Sequence, residues 1–96
     1  MKNLATSLIL HESVVTTEAK AKEVRGYLEP LITSAKKPSV ATSRRLRLRV
    51  AEAGAVRKLT EDLGPKYKER SGGYLRLTKI ADRPGDGATK VKVELV

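Results

Sequence analysis

The chain has no cysteine, tryptophan or phenylalanine, and only one histidine and one methionine. Without cysteine there are no disulfides and no thiolate metal sites, and the redox compartment stays undetermined. With His11 as the sole histidine, a multi-histidine metal site is ruled out. A lone imidazole at a helix end serves more often as a structural hydrogen-bonding group than as a catalyst. Three tyrosines are the only aromatics, so the paired aromatics of an RNA-recognition sheet are missing, as are a glycine-loop clamp and a zinc finger. The acidic residues are scattered, and adjacent Glu61 and Asp62 have no metal-binding spacing. Ser71-Gly72-Gly73 lacks the lysine and hydroxyl residue that a nucleotide loop places after its last glycine, and reads as a turn. These absences argue against an enzyme and call for no cofactor and no metal. Long apolar runs are missing too. The segment LATSLIL stops at His11-Glu12 with no small-residue cleavage site, so neither a signal peptide nor a membrane span is expected, and the reading is cytosolic.

What the chain does have is positive charge. Its 96 residues suit one domain, residues 1–96, with a single modest core. Lysine and arginine number 20 against 11 acids, for a formal net charge of +9. That imbalance in a small domain favours a polyanionic partner, a nucleic acid or an anionic surface, over a merely solvated basic face. The imbalance is sharpest between Leu31 and Ala51, which contains no acid but carries Lys36, Lys37, Arg44, Arg45, Arg47 and Arg49.

The chain is organised around residues 2–37. A short apolar helix to Leu10 offers Leu4, Ala5 and Leu8, too little to stand alone in water. Ser13 to Thr17, rich in β-branched residues, suits a strand. A hydroxyl of Thr16 or Thr17 then caps a long amphipathic helix whose apolar stripe is Ala21, Val24, Leu28, Leu31, Ile32 and Ala35. Pro30 should bend that helix near Gly26; two helices meeting there is the competing reading. In residues 39–53, RLRLRV alternates as a strand would, while Val40, Leu46, Val50 and Ala53 make a tolerable helical stripe behind a Ser39 cap. Gly54 is expected to break this segment, and Gly64-Pro65 to stop the next helix, with its stripe of Val56, Leu59 and Leu63. Tyr74 to Ile80 and Lys90 to Val96 alternate as two strands of an antiparallel hairpin around the polar loop DRPGDGA. Ser13–Thr17 joins them to make a three-stranded sheet. The expected class is α+β: two layers in the order α-β-α-α-α-β-β, with the helices on one face of a small mixed sheet.

NLATSLILHE, the V-x-TT step, AKAKEVR, LIT-x-AKK, GPKYKERSGGYLRLTKI and the closing VELV are similar to blocks of the bacterial large-subunit ribosomal protein L-seventeen family, in order and in spacing. The resemblance covers nearly the whole chain. It implies that residues 39–53 are helical, where the local pattern slightly favours strand. It also implies a structural role on the large subunit, bound to 23S rRNA toward the tunnel exit beside neighbouring ribosomal proteins. Lys2, Asn3, Ser7, Lys20, Lys22, Lys36, Lys37, Arg70, Gly72, Gly73, Tyr74 and Arg76 then lie near RNA. Arg44, Arg45 and Arg49 align only as members of a basic helix. Family members carry a strongly basic arm ahead of the first helix that this sequence begins without, implying a start placed downstream or a trimmed form.

Two other readings stand beside this one. A free-standing basic module could bind nucleic acid outside the ribosome through a helix-turn-helix in residues 39–63, although Glu61 and Asp62 suit a groove poorly. A basic face could instead meet an acidic protein. Self-association, a membrane and a small-molecule substrate are not expected. Tyr67 and Tyr74 could stack on an unpaired base, but their places beside the glycine turn favour packing.

Overall fold

The computed structural model describes residues 1–37, 39–80 and 89–96. Helix α1 (Lys2–His11) turns through Glu12 into strand β1 (Ser13–Thr17), which leads directly into α2 (Glu18–Ala35). Helices α3 (Val40–Arg49) and α4 (Ala53–Lys58) follow. A π-helical turn (Leu59–Leu63) carries α4 into a last helical turn, α5 (Gly64–Lys66). Strands β2 (Leu75–Lys79) and β3 (Lys90–Leu95) complete the domain. The loop DRPGDGA falls outside the described residues.

The start of α2 follows from its capping chemistry. Of the two candidate threonines, Thr17 has the extended backbone of an N-cap and accepts the Lys20 amide at 3.4 Å. α2 is one helix that runs through Pro30. Its predicted apolar stripe is buried in full, from Ala21 to Ala35. α1 buries Ala5, Leu8 and Ile9, and also Thr6. The Thr6 hydroxyl donates to the Lys2 carbonyl and accepts the amide of Ala51, both at 2.8 Å. This ties α1 to the connection between α3 and α4.

Within residues 39–53, Val40–Arg49 is helical, as the resemblance implies, and the helix ends before Val50. Ser39 caps it, accepting the Thr42 amide at 3.1 Å. Helical spacing buries Leu46 and Val50, four residues apart, and leaves Leu48 between them 75% exposed. A strand would have put all three on one face. Val40 and Ala53, expected in the stripe, are exposed.

Three further expectations are corrected. The break after α3 falls at Val50–Glu52, where the backbone is extended, and Gly54 lies inside α4. Gly64-Pro65 does not stop the next helix: Gly64 stays helical and its amide reaches back to the Leu59 carbonyl, closing the π turn. Gly64 is there for close approach, because a Cβ built on it would lie 2.5 Å from the Ala35 carbonyl oxygen. The α-β-α-α-α-β-β order therefore holds only coarsely, since its last helix is divided into α4, a π turn and α5.

The sheet is wholly antiparallel, not mixed. Its strand order is β1-β3-β2, with Val93 opposite both Val14 and Leu77. The helices between β1 and β2 return the chain so that both strands run the same way, and β3 enters between them against both. Val91, Val93 and Leu75 on the inner face are buried, and α2 packs on all three strands. Val15, Lys92 and Thr78, aligned across the other face, are exposed.

Candidate nucleic-acid interface

The four arginines of α3 are all exposed, and among the described residues none forms an ion pair. With 3.6 residues per turn they cannot share one face. Arg44 and Arg47 open onto a shallow concavity with Ser39, Val40 and Ser43. Arg47 also borders a second hollow toward α4, beside Arg57, Thr60 and Glu61. Arg45 and Arg49 point the other way, into a groove against α2 lined by Gly26, Tyr27, Pro30, Leu31 and Ser34. The Tyr27 hydroxyl donates to the Arg49 carbonyl at 2.6 Å, pinning the end of α3 to the middle of α2. α2 and α3 thus form an antiparallel pair, with the Ser39 end of α3 near Lys37.

The structure brings a second set of predicted residues together at the end of α2. Lys36 sits half-buried, 4.8 Å over the Tyr74 ring, and its ammonium donates to the Arg70 carbonyl. Arg70 is exposed and its Nε donates to the carbonyls of Gly72 and Gly73, each at 3.2 Å. Gly73 adopts a φ of 63°, which a glycine takes without steric cost. The Tyr74 amide donates to the Glu29 carboxylate at 2.9 Å, and its hydroxyl lies 3.0 Å from that of Thr33. The Tyr74 ring is fully buried and packs on Tyr67 at 5.1 Å, tilted by 49°. Its ring is therefore closed to a stacked base. Lys36, which the resemblance places near RNA, is held inward as a strut. Burial pushes the Tyr74 phenol up, but its bonding to Lys36 and Thr33 and the charge of Lys36 outweigh that, and its pKa is lowered. What this corner offers outward is Lys37, the turn around Gly73 and the remaining N–H groups of Arg70, with Arg76 exposed on β2 beyond it.

Lys2 and Asn3 are exposed at the start of α1, and Ser7 is half-buried. The Thr6–Ala51 bond brings this end of α1 to the Arg49 end of α3. Lys20 and Lys22 are exposed in the first turns of α2, and Lys22 pairs with Glu18 at 3.3 Å. His11 is exposed in the last turn of α1, with no side-chain hydrogen bond among the described residues, so the structural role expected for its ring is not seen. Thr6, Tyr27, Glu29 and Gly64 escape the sequence reading, because each acts on a partner more than twenty residues away. Among the described residues no cluster of histidine and carboxylates stands where it could hold a metal, and no helix is long and apolar enough to cross a membrane.

Fold and charge describe a small basic α+β domain with exposed arginines that form no ion pair among the described residues, the type of domain that meets a polyanion. Its sequence matches the family described as Ribosomal protein L17 over residues 1–96, and the chain belongs to that family. It is accordingly a structural constituent of the large ribosomal subunit, acting in translation and associated with cytoplasmic ribosomes. The family is structural rather than catalytic, and membership lends no support to a free-standing module.

Proposed function

We propose that the domain binds 23S rRNA and braces it on the large subunit toward the tunnel exit, as a single copy among neighbouring ribosomal proteins. The observation that carries this is α3: four exposed arginines, with no ion pair among the described residues, on a segment that holds no acid from Leu31 to Ala51. Free guanidiniums on a rigid helix are suited to phosphates, and each contact releases counterions. Arg44, Arg45 and Arg49 contribute from α3, with Lys2, Asn3 and Ser7 near its far end. Lys20 and Lys22 extend the surface along α2. Lys37, Gly72, Gly73, Arg70 and Arg76 form the corner at the other end, with Lys36 and Tyr74 holding the turn in shape.

Sucrose-gradient fractionation of the host lysate, probed for this protein, tests the proposal. Recovery in the large-subunit peak at moderate salt, with release only at high salt, is the expected result. Recovery at the top of the gradient would refute it.

A further inference from the structure

The groove between α2 and α3 has a feature that charge alone does not explain. Gly26 lies at the centre of α2, where glycine is the least favourable ordinary residue for a helix. No packing contact requires it there, since a Cβ at Gly26 would meet no atom within 4 Å beyond its own stretch of helix. Gly64 makes the contrast, because its missing side chain makes room for the Ala35 carbonyl. Pro30 stands four residues after Gly26 and has no N–H, so the helical donor for the Gly26 carbonyl does not exist. The wall opposite is Arg45 and Arg49, no acid lines the groove, and Ser34 stands further along it. Tyr27 fixes the position of that wall through its bond to the Arg49 carbonyl. The groove measures about 250 Å³, below the range of about 300–1,000 Å³ typical of small-molecule pockets.

We propose that this groove seats a sugar–phosphate segment of RNA, with phosphates on Arg45 and Arg49 and a ribose edge against Gly26. The absent side chain lets the sugar approach the helix backbone, and the Gly26 carbonyl, to which Pro30 has no N–H to donate, accepts from the ribose 2′-hydroxyl, the group that distinguishes RNA from DNA. The inference rests on the rRNA reading above and deepens it by naming the seat.

Filter binding of the whole domain to a full-length 23S rRNA transcript over a salt series, with a thermal melt of each variant, tests this. Gly26→Leu obstructs the floor with a good helix former, so its melting temperature is expected to hold or rise while binding weakens about tenfold. Arg45→Gln/Arg49→Gln is expected to weaken binding and to reduce the salt slope by about 1.4 to 1.8, two phosphate contacts at about 0.7 to 0.9 each. Combining it with Gly26→Leu should then cost less than the separate losses together, because one seat is destroyed twice. Gly26→Ala, more stable still, should shift affinity in the same direction by less. If Gly26→Leu binds as well as the unaltered domain while the arginine pair weakens binding, the groove is not entered: the inference fails and the rRNA reading survives. If Gly26→Leu binds naked rRNA normally but is lost from assembled subunits, the groove holds a neighbouring protein and the inference also fails. Failure of the unaltered domain to bind the transcript overturns the rRNA reading, and this inference with it.

Discussion

The two glycines discussed above make opposite predictions for the same one-methyl change. At Gly64, the added Cβ falls 2.5 Å from the carbonyl oxygen of Ala35, and 3.1 Å from its carbon and from the Leu59 oxygen. Ordinary contact begins at 3.4 Å, so the first separation is short by nearly 1 Å. The obstructing atoms are backbone, at the end of α2 and at the start of the π turn, so no rotamer change relieves the overlap. Either α2 and α5 separate or the π turn unwinds. Overpacking of this kind costs about 1–3 kcal/mol, with a rigid backbone at the high end. The gain in helix propensity returns about 1 kcal/mol of that. A net loss of about 2 kcal/mol lowers the melting temperature of a domain this size by roughly 8–16 °C. At Gly26 the same methyl meets nothing, so only the propensity gain remains, about 0.5–1 kcal/mol and a rise of roughly 2–8 °C. Thermal unfolding followed by far-ultraviolet circular dichroism, with a denaturant melt beside it, separates the two. If Gly64→Ala melts at or above the unaltered domain, the close approach of α5 to α2 is not what requires glycine there.

Three other substitutions test single contacts. Thr6→Val removes the acceptor from the part-buried bond of the Ala51 amide and should cost about 0.5–1.5 kcal/mol, with faster hydrogen exchange at that amide. Glu29→Ala removes a charged acceptor from the Tyr74 amide and should cost about 1.5–3 kcal/mol, with the loss of exchange protection centred on the Gly72–Tyr74 turn. Lys36→Met removes two of the influences that lower the Tyr74 pKa, so ionisation of the Tyr74 phenol, followed by ultraviolet titration against a Tyr74→Phe control, should shift to higher pH. The linkage follows the same sign. A phenol lowered by the fold stabilises it only at alkaline pH, above the unfolded value of about 10, and the contribution is lost as pH falls through the folded pKa. Lys36→Met should therefore lower alkaline stability more than neutral stability.

The helices were legible where a periodic stripe met a capping residue. Thr17 and Ser39 cap where their chemistry predicts, and every apolar residue predicted on α2 is buried. RLRLRV was ambiguous because both periods fit six residues. Helix won through burial of Leu46 and Val50 against neighbours that the local pattern does not contain. Gly54 and Gly64 were read as punctuation because glycine usually is. The reason Gly64 must be glycine is Ala35, nearly thirty residues upstream. Strand direction was beyond local reading for a similar cause: β1 has one antiparallel partner, β3, which lies at the other end of the chain. At the candidate interface, the charges were legible and their roles were not. Lys36 and Arg44 look alike in sequence, yet one is folded under the turn and the other is exposed. The division of the α3 arginines between two sides does follow from helical period alone.

The strand order has a consequence for when the domain can fold. β3 is synthesised after β1 and β2, and among the described residues it is the one strand with two neighbours. Until it leaves the ribosome that is making it, β1 and β2 have no partner, and the inner faces of α1 and α2 lack Val91 and Val93 to pack on. The nascent chain can form helices early, but the sheet closes in one late step that joins sequence positions nearly eighty residues apart. During that interval the acid-free arginine segment has already been synthesised. An RNA able to hold it would meet a domain whose basic face precedes its core, and could template the final closure.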